Sequence, residues 1–385
     1  MHTDSEFTIV GAGVAGLTAG YALQSIGRTC TIFEQSKALK GIGAGFGLAA
    51  NAMKAFELLH LRDDIEQIGH HLESYNILDD QGKVLFAPDT GSLSQNYQQR
   101  NFAIHRADLH QFLLSKVQSV HLAKRAVRFE QTLDSVTIYF EDGTSHRTRY
   151  LLIADGVKSA LRQQLIPHSK PRYAGYTCWR ATISNTELKL EKGSETWGKD
   201  GRFGLTPLVN NRIYWYACNN SKPQNQVYKN YTVADLYTHF EHYHNPIPQV
   251  LKQTNDRDLI WNDIIDIAPI KHFAYGNILL IGDAAHATTP NMGQGACQAI
   301  EDVAVLIDEL TRTPYVDIAF KNFERRRLAR TKYITDNSKR IGEIAQLDQS
   351  LLITGRNIIM RLLPQQLAQY PIDKLLSVDF MKIKK

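Results

Sequence analysis

Three glycines near the start of the chain have the spacing of a phosphate-binding turn. Gly11, Gly13 and Gly16 stand in GAGVAG, between a strand-like stretch and a helix-like stretch that begins at Val14. Such glycines permit a tight turn, a close approach of the backbone to a pyrophosphate, and close helix–strand packing, while the helix N-terminus offers free amides. Glu34 ends the next strand 18 residues after Gly16, where a carboxylate can accept hydrogen bonds from a ribose. This context predicts a bound dinucleotide rather than a glycine turn without a ligand.

Two later segments place aspartates directly after buried strands. Asp155 and Gly156 follow an apolar stretch in LLIADGVKSALR, and Asp283 follows another in NILLIGDAAH. Side chains at the carboxyl ends of strands gather around a cofactor at one edge of a parallel sheet. For each aspartate the alternative is a turn or a helix-capping carboxylate.

The stretches around these motifs predict an α/β fold. Residues 7–13, 14–26 and 30–35 predict a βαβ unit, 106–117 an amphipathic helix, and 137–155 a hairpin that turns at Asp142 and Gly143. An aromatic-rich region then predicts mainly antiparallel strands, and two long helices follow at about 295–311 and 316–343. We therefore expect a discontinuous Rossmann-type domain at 1–171 and 271–343, an inserted β domain at 172–270, and a C-terminal helical tail at 344–385.

Composition narrows the class of protein. The chain has 385 residues, a formal net charge of +5 spread along its length, and four widely spaced cysteines without a CxxC pair. These features do not indicate nucleic-acid binding, and they predict reduced thiols rather than a metal site. No stretch of 18 or more apolar residues and no apolar leader occurs in the sequence. We expect a cytoplasmic protein without membrane attachment.

Taken together, the motifs resemble a known family. The ordered signatures GAGVAG, the Asp-Gly segment at 155–156, and GDAAHATTPNMGQG at 282–295 are similar to those of the class A FAD-dependent aromatic hydroxylases. The resemblance covers roughly residues 7 to 343. It implies a Rossmann-type FAD domain with an inserted β-sheet substrate domain.

The resemblance also implies roles for matching positions. The ADP half of FAD would be held by the glycine turn with Glu34, and the isoalloxazine would face the N-terminus of the helix after Gly293, whose partial positive charge can stabilise an anionic reduced flavin. The implied cofactor residues are Gly11, Gly13, Gly16, Glu34, Arg106, Asp155, Gly156, Asp283, Pro290, Gly293, Gln294, Gly295, Ala296 and Cys297.

Some details are typical of a narrower branch. The stretch RYAGYTCWRA at 172–181 and the cysteine at 297 are similar to those of FAD-dependent urate hydroxylases and zeaxanthin epoxidases. Arg202 and Tyr214 match positions that bind substrate in a bacterial urate hydroxylase. A guanidinium with a phenol suits an anionic heteroaromatic compound. The alternatives are a surface ion pair for Arg202 and a core aromatic for Tyr214.

Other positions depart from the family pattern. Gly47 and Ala126 stand near the flavin at positions whose side chains vary in the family, and Gln35 replaces a basic residue that many members carry there. The glycines at 41, 43, 45 and 47 lack the GxGxxG spacing and predict a flexible loop beside the isoalloxazine. His286 has no metal-type partner spacing and is interpreted as a structural hydrogen-bonding residue.

The resemblance implies a reaction as well. NADH or NADPH would reduce the flavin, O₂ would add to it, and the resulting flavin hydroperoxide would hydroxylate or epoxidise a small aromatic or heteroaromatic substrate. The alternatives are a flavoprotein dehydrogenase or reductase without oxygen insertion, and a non-catalytic flavin-binding redox sensor. No catalytic residue is assigned, and a monomer or a homodimer is expected. For the C-terminal stretch, a packed helical tail is favoured over attachment to a lipid surface.

Overall fold

The computed structural model describes residues 4–39, 44–89, 98–376 and 379–382. In chain order, its strands are β1 (Ser5–Val10), β2 (Cys30–Phe33), β3 (Gly45–Leu48), β4 (His70–His71), β5 (Tyr75–Asp79), β6 (Val84–Phe86), β7 (Phe102–His105), β8 (Val120–His121), β9 (Ala126–Gln131), β10 (Val136–Phe140), β11 (Ser145–Ile153), β12 (Pro171–Ser184), β13 (Gly193–Gly198), β14 (Gly201–Leu208), β15 (Arg212–Asn220), β16 (Ile260–Ile267), β17 (Ala274–Tyr275) and β18 (Ile278–Leu280).

The helices alternate with these strands and then dominate the C-terminal part. They are α1 (Val14–Ser25), α2 (Ala50–Leu58), α3 (Arg62–Ile68), α4 (Arg106–Ser115), α5 (Ala160–Leu165), α6 (Gln226–Lys229), α7 (Val233–Phe240), α8 (Ile247–Lys252), α9 (Asp283–His286), α10 (Gly295–Arg312), α11 (Val316–Ala345), α12 (Ser350–Leu362) and α13 (Gln365–Leu376), with 3₁₀ turns at Asp256–Asp258 and Pro290–Met292.

The first sheet has a parallel centre. Strands β8, β2, β1, β11 and β18 lie in that order and pair in parallel, while β17 is an antiparallel edge. The central strands are mostly apolar because both faces of the sheet are covered. On β2, Ile32 faces Gly20 of α1, and the next residue, Phe33, contacts Phe140 of β10 on the opposite face. The N-terminal part of β11 also forms the predicted hairpin with β10. The Rossmann-type prediction is confirmed, and the predicted long helices lie at α10 and α11.

The second sheet carries the aromatic residues. Its strands lie in the order β16, β12, β15, β14, β13, β5, β6, and they pair antiparallel except for β13 with β5. One face packs on α7 and α8 through a core that includes Trp179, Phe203, Trp215 and Phe240. The other face turns toward the first sheet. Residues 172–270 supply most of these strands, but β5 and β6 come from the segment that was assigned to the N-terminal domain.

A small sheet links these two layers. Its strands lie in the order β3, β7, β4, and β3 pairs antiparallel with β7 from Gly45–His105 to Leu48–Phe102. This sheet places the end of the glycine-rich segment next to the start of α4.

The C-terminal helices dock on the second sheet through polar contacts. Arg356 is buried in α12, donates to the carbonyl oxygens of Ala345 and Trp197, and stacks on the Trp197 ring. Arg361 pairs with Asp79 of β5. The tail is therefore a packed element, although Leu351 and Leu362 on α12 are exposed.

Candidate functional site

The glycine turn between β1 and α1 has a separate physical reason for each glycine. Gly11 has φ +106°, and a Cβ there would lie 2.3 Å from the carbonyl oxygen of Ala154. A Cβ on Gly16 would lie 1.9 Å from the carbonyl oxygen of Gly11. At Gly13 a Cβ would meet no described protein atom within 4 Å. The first two glycines therefore allow the chain to pack on itself, whereas Gly13 faces open space at the N-terminus of α1, an arrangement that suits an anion.

Glu34 lies beside this turn at the end of β2. One carboxylate oxygen accepts a hydrogen bond from the Ala12 amide and the other from the Ser36 amide, each at 2.8 Å. Each oxygen retains a second lone pair that a ribose hydroxyl can use. Gln35 is exposed next to it. The Lys124 amide donates to the Glu34 carbonyl oxygen, which brings Ala126 at the start of β9 to the same edge.

Asp155 follows β11 at the same edge of the sheet. Burial raises the pKa of its carboxyl to about 6. Its Oδ1 is buried and has no hydrogen-bond partner within the described chain. Gly156 has φ +88°, and a Cβ there would meet nothing within 4 Å. A buried carboxylate oxygen without a partner, next to open space, is expected at a ligand site.

Arg162 joins two of the predicted motifs, and the sequence analysis missed it. It is fully buried in α5, and its Nη2 donates to the carbonyl oxygen of Val157 at 2.7 Å. Its Nη1 donates to the carbonyl oxygen of Ala284 at 3.3 Å. One side chain thus holds the loop after β11 against α9. The available signal was an arginine six residues after Gly156, in the first turn of a short helix.

Asp283 begins α9 directly after β18. Its side chain is exposed, yet limited hydration in the surrounding cleft raises the pKa of its carboxyl above the ordinary value, while His286, Arg106 and Arg162 act in the opposite direction. The exposed Arg106 opens α4 near this carboxylate, and its amide donates to the Ala44 carbonyl oxygen at 2.7 Å. The structure therefore brings Arg106 and Asp283 to one side of the cleft.

The loop from Pro290 leads into α10. Gly293 has φ +63°, and at both Gly293 and Gly295 a Cβ would meet nothing within 4 Å. Cys297 is buried in the first turn, where its Sγ donates to the carbonyl oxygen of Gly47 at 3.6 Å, and burial raises the pKa of its thiol to about 12. The N-terminus of α10, with Gln294 and Ala296, is therefore open on one side and fixed to β3 on the other.

A buried polar network fixes this helix start from below. Asn51 donates to Gln294 Oε1 at 3.0 Å and also to Glu301. Arg327 pairs with Glu301 and with Asp302, all completely buried. Although burial opposes it, Arg330 and Arg327 hold the pKa of Glu301 at about 2. The network was absent from the sequence analysis because its members lie on α2, α10 and α11.

His286 belongs to the same network. Its Nε2 lies 2.7 Å from Asp302 Oδ2, which also accepts from the Gly282 amide at 2.8 Å. The interpretation of His286 as a structural hydrogen-bonding residue is confirmed. Within the described ranges no group of three or more His, Cys, Asp or Glu residues could hold a metal ion.

Arg202 and Tyr214 lie on the face of the second sheet that turns toward this cleft, but both are buried. Arg202 is 2% exposed and donates to Glu195 at 3.0 Å, Asn291 at 2.9 Å and Gln346 at 2.6 Å, while its Nη2 has no partner in the described structure. Tyr214 packs against Gly45, whose added Cβ would lie 2.7 Å from the tyrosine ring. The two side chains thus fill contacts between the sheet and the first domain.

A cavity of about 320 Å³ lies beyond Asn291 and Gln346, two of the residues that accept hydrogen bonds from Arg202. It is a partly open cleft between β12, the loop before α10 and the end of α11, and it is lined by Tyr176, Asn291 and Gln346 among others. Arg202 is therefore separated from this cavity by its own hydrogen-bond partners. Of the predicted glycine loop, Gly41 and Gly43 lie outside the described residues, whereas Gly45 and Gly47 are on β3.

Comparisons with known proteins cover nearly the whole chain. The family model described as "FAD binding domain" matches residues 4–338. An aurachin C monooxygenase/isomerase of Stigmatella aurantiaca is 33% identical over 94% of this chain and 95% of its own. An FAD-dependent urate hydroxylase of Klebsiella pneumoniae is 30% identical over 84% of this chain and 86% of its own. The solved structure of Klebsiella pneumoniae HpxO with FAD and uric acid superimposes with a TM-score of 0.87, at 26% identity, over 97% of both chains. The likeness therefore includes both sheets as well as the glycine turn.

Proposed function

Because this chain belongs to the family of FAD-binding flavoproteins whose model spans residues 4–338, we propose that it is an FAD-dependent monooxygenase acting on a small aromatic or heteroaromatic compound. Proteins similar to it over most of its length are named as a monooxygenase/isomerase and as a urate hydroxylase. The observation that carries the proposal is the convergence of three motifs at one edge of the parallel sheet, with Arg162 joining the loops after β11 and β18.

The residues at this edge fit FAD. Gly13 leaves room at the N-terminus of α1 for a pyrophosphate, and the Asp155 oxygen without a partner can accept a hydrogen bond. Open space at Gly293 and Gly295 suits a flat ring system against the start of α10. We propose the following as cofactor-binding residues: Gly11, Gly13, Gly16, Glu34, Gln35, Gly47, Arg106, Ala126, Asp155, Gly156, Asp283, Pro290, Gly293, Gln294, Gly295, Ala296 and Cys297.

Held by these residues, FAD would supply the redox chemistry by which electrons of a reduced nicotinamide and one oxygen atom of O₂ reach the substrate. The protein's part is positioning and electrostatics. The amides at the start of α10 stabilise negative charge on a ring placed there. The network below Gln294 keeps that helix start in place, and the second sheet covers the cleft and limits water. NADH or NADPH and O₂ are the proposed co-substrates.

Arg202 and Tyr214 are proposed for the substrate side of the cleft. Both lie on the face of the second sheet that turns toward the cleft, and Arg202 Nη2 carries an N–H without a partner in the described structure. Their burial suggests that they shape the wall behind the substrate, with Asn291 of the loop before α10 as an intermediate.

The test is NAD(P)H oxidation by the purified yellow protein, with and without aromatic and purine-like compounds. A monooxygenase consumes NAD(P)H faster with its substrate and places one atom from ¹⁸O₂ in the product. A dehydrogenase or reductase instead passes electrons to an artificial acceptor in the absence of O₂, with no labelled product. Absence of any stimulation, together with flavin reduction by NAD(P)H alone, would favour a redox sensor and reject the proposal.

A further inference from the structure

The register of the second sheet divides its cleft-facing side into rows. Cys178, Cys218 and Arg202 lie side by side across β12, β15 and β14 in one row. The next row along the strands holds Arg180, Tyr216 and Gly204, and the third holds Thr182, Tyr214 and Thr206. Trp179, Trp215 and Phe203 alternate with these residues and pack on the helices behind the sheet. The three rows therefore share the face that turns toward the first domain.

The outer two rows are occupied by contacts with the first domain. In the first row, Arg202 bonds to Asn291 in the loop before α10. In the third row, Tyr214 packs on Gly45 of β3. The middle row lies between the Arg202–Asn291 contact and the Tyr214–Gly45 contact. It therefore faces the proposed isoalloxazine position from between these two contacts.

The middle row presents the Arg180 guanidinium to that space, and it also holds Glu195, which stands on β13 beside Gly204 and pairs with Arg202. Gly204 has no side chain there, and the Tyr216 ring lies over it, since an added Cβ would be 2.1 Å from the ring. Arg180 and Tyr216 are both half-buried, unlike Arg202 and Tyr214. Burial raises the pKa of Tyr216 well above its ordinary value, so its phenol stays protonated, and its hydroxyl lies 3.1 Å from the Tyr75 hydroxyl, with either oxygen able to donate.

Arg180 differs from Arg202 in its electrostatic balance. Arg202 is neutralised by Glu195, whereas Arg180 forms no ion pair with an Asp or Glu of the described chain. Its Nη2 donates to the Asn262 side chain, and its Nε is buried without a partner. A partly desolvated guanidinium without a counter-ion is costly and is stabilised by an anion that binds beside it.

We propose that Arg180, which stands beside Tyr216, binds an anionic oxygen of the substrate, a carboxylate or phenolate carried by an aromatic or heteroaromatic ring. This assignment rests on the proposed function and adds the residue that selects for charge. In it, Arg202 and Glu195 form the wall behind the site, and Arg180 is the cation that the substrate meets.

Binding to the oxidised holoenzyme tests the assignment without turnover. The flavin absorbance is titrated with 3-hydroxybenzoate, urate and iodide as anionic probes, and with 3-hydroxybenzamide as the neutral isostere. Arg180→Gln is expected to lower the affinity for the anionic probes about 10- to 150-fold, which corresponds to the loss of one charge-assisted hydrogen bond. The affinity for 3-hydroxybenzamide should change little. Arg180→Lys should recover part of the affinity. Arg257→Gln, which removes the same charge from a side chain that is 84% exposed, is the matched control and should leave every affinity unchanged.

Several outcomes would overturn the assignment. One is an Arg180→Gln variant that loses affinity equally for 3-hydroxybenzoate and for 3-hydroxybenzamide. Another is the absence of saturable binding of any anionic probe to the wild type. A third concerns Cys178, whose pKa is lowered to about 7, mainly by a hydrogen bond with Cys218. If Cys178→Ser weakens binding of the anions as much as Arg180→Gln does, Arg180 interacts with the Cys178 side chain and not with the substrate. FAD content and flavin reduction by NAD(P)H report separately on the proposed function, because they do not require this arginine.

Discussion

Replacing Arg202 with alanine should destabilise the protein far more than loss of a surface ion pair would. The Arg202 and Glu195 side chains are 2% and 9% exposed, and they lie 3.0 Å apart. Removing only the cation leaves a buried carboxylate uncompensated, which costs about 3–5 kcal/mol in other proteins. Loss of the donors to Asn291 and Gln346 adds to this.

The assay is thermal unfolding of the holoenzyme, followed by tryptophan fluorescence and by release of flavin fluorescence. Arg202→Ala should lower the midpoint strongly at pH 7. Adding Glu195→Gln should recover stability, since it removes the unpaired charge. Arg128→Ala, which breaks the exposed pair with Glu130, should change the free energy of unfolding by about 1 kcal/mol or less.

Two results would refute this reasoning. The first is an Arg202→Ala variant whose free energy of unfolding lies within about 1 kcal/mol of the wild type, the range of the surface control. The second is a double variant no more stable than Arg202→Ala alone, which would show that Glu195 is not left unpaired.

The proposed cofactor site and the location of the protein in the cell can be tested in the same way. Gly13→Val should give colourless protein that binds FAD weakly while keeping its far-UV circular dichroism, because the new side chain enters the space at the start of α1; a yellow variant would contradict the assignment. Asp283→Ala should also lose FAD, measured by absorbance after gel filtration. Burial raises the pKa of the Asp155 carboxyl to about 6, so ionising it costs the FAD-free protein stability as the pH rises from about 4 to 6. Asp155→Asn should abolish this loss and make the FAD-free protein more stable than the wild type at pH 7. The protein should fractionate with the cytosol; recovery in a salt-resistant membrane fraction would contradict this.

Local sequence determined much of the cofactor site. The turn at Gly11, Gly13 and Gly16 depends on residues a few positions apart, and steric exclusion of a Cβ leaves little choice of residue at Gly11 and Gly16. Continuous apolar strands followed by Asp155 and Asp283 likewise predict where a parallel sheet ends. These features were predictable because their cause lies within one turn or one strand.

Pairing between distant strands was decided only by the tertiary structure. Strand β5 joins β13 more than 110 residues later, from Tyr75 beside Gly193 to Asp79 beside Trp197. A strand pattern shows which side chains alternate but not which partner supplies the hydrogen bonds. For this reason β5 and β6 could not be assigned to the second sheet from sequence.

The same holds for the charged residues. Arg180 lies on β12 and Arg202 on β14, in stretches where side chains alternate between the two faces of the sheet. Nothing in the local sequence shows which of the two arginines will be neutralised. In the folded chain Arg202 meets Glu195 on the neighbouring strand and is neutralised, whereas Arg180 donates to the neutral Asn262 and forms no ion pair with an Asp or Glu of the described residues. Burial and the choice of hydrogen-bond partner depend on contacts across the sheet. These contacts make Arg202 part of the wall behind the proposed site and leave Arg180 without a neutralising carboxylate.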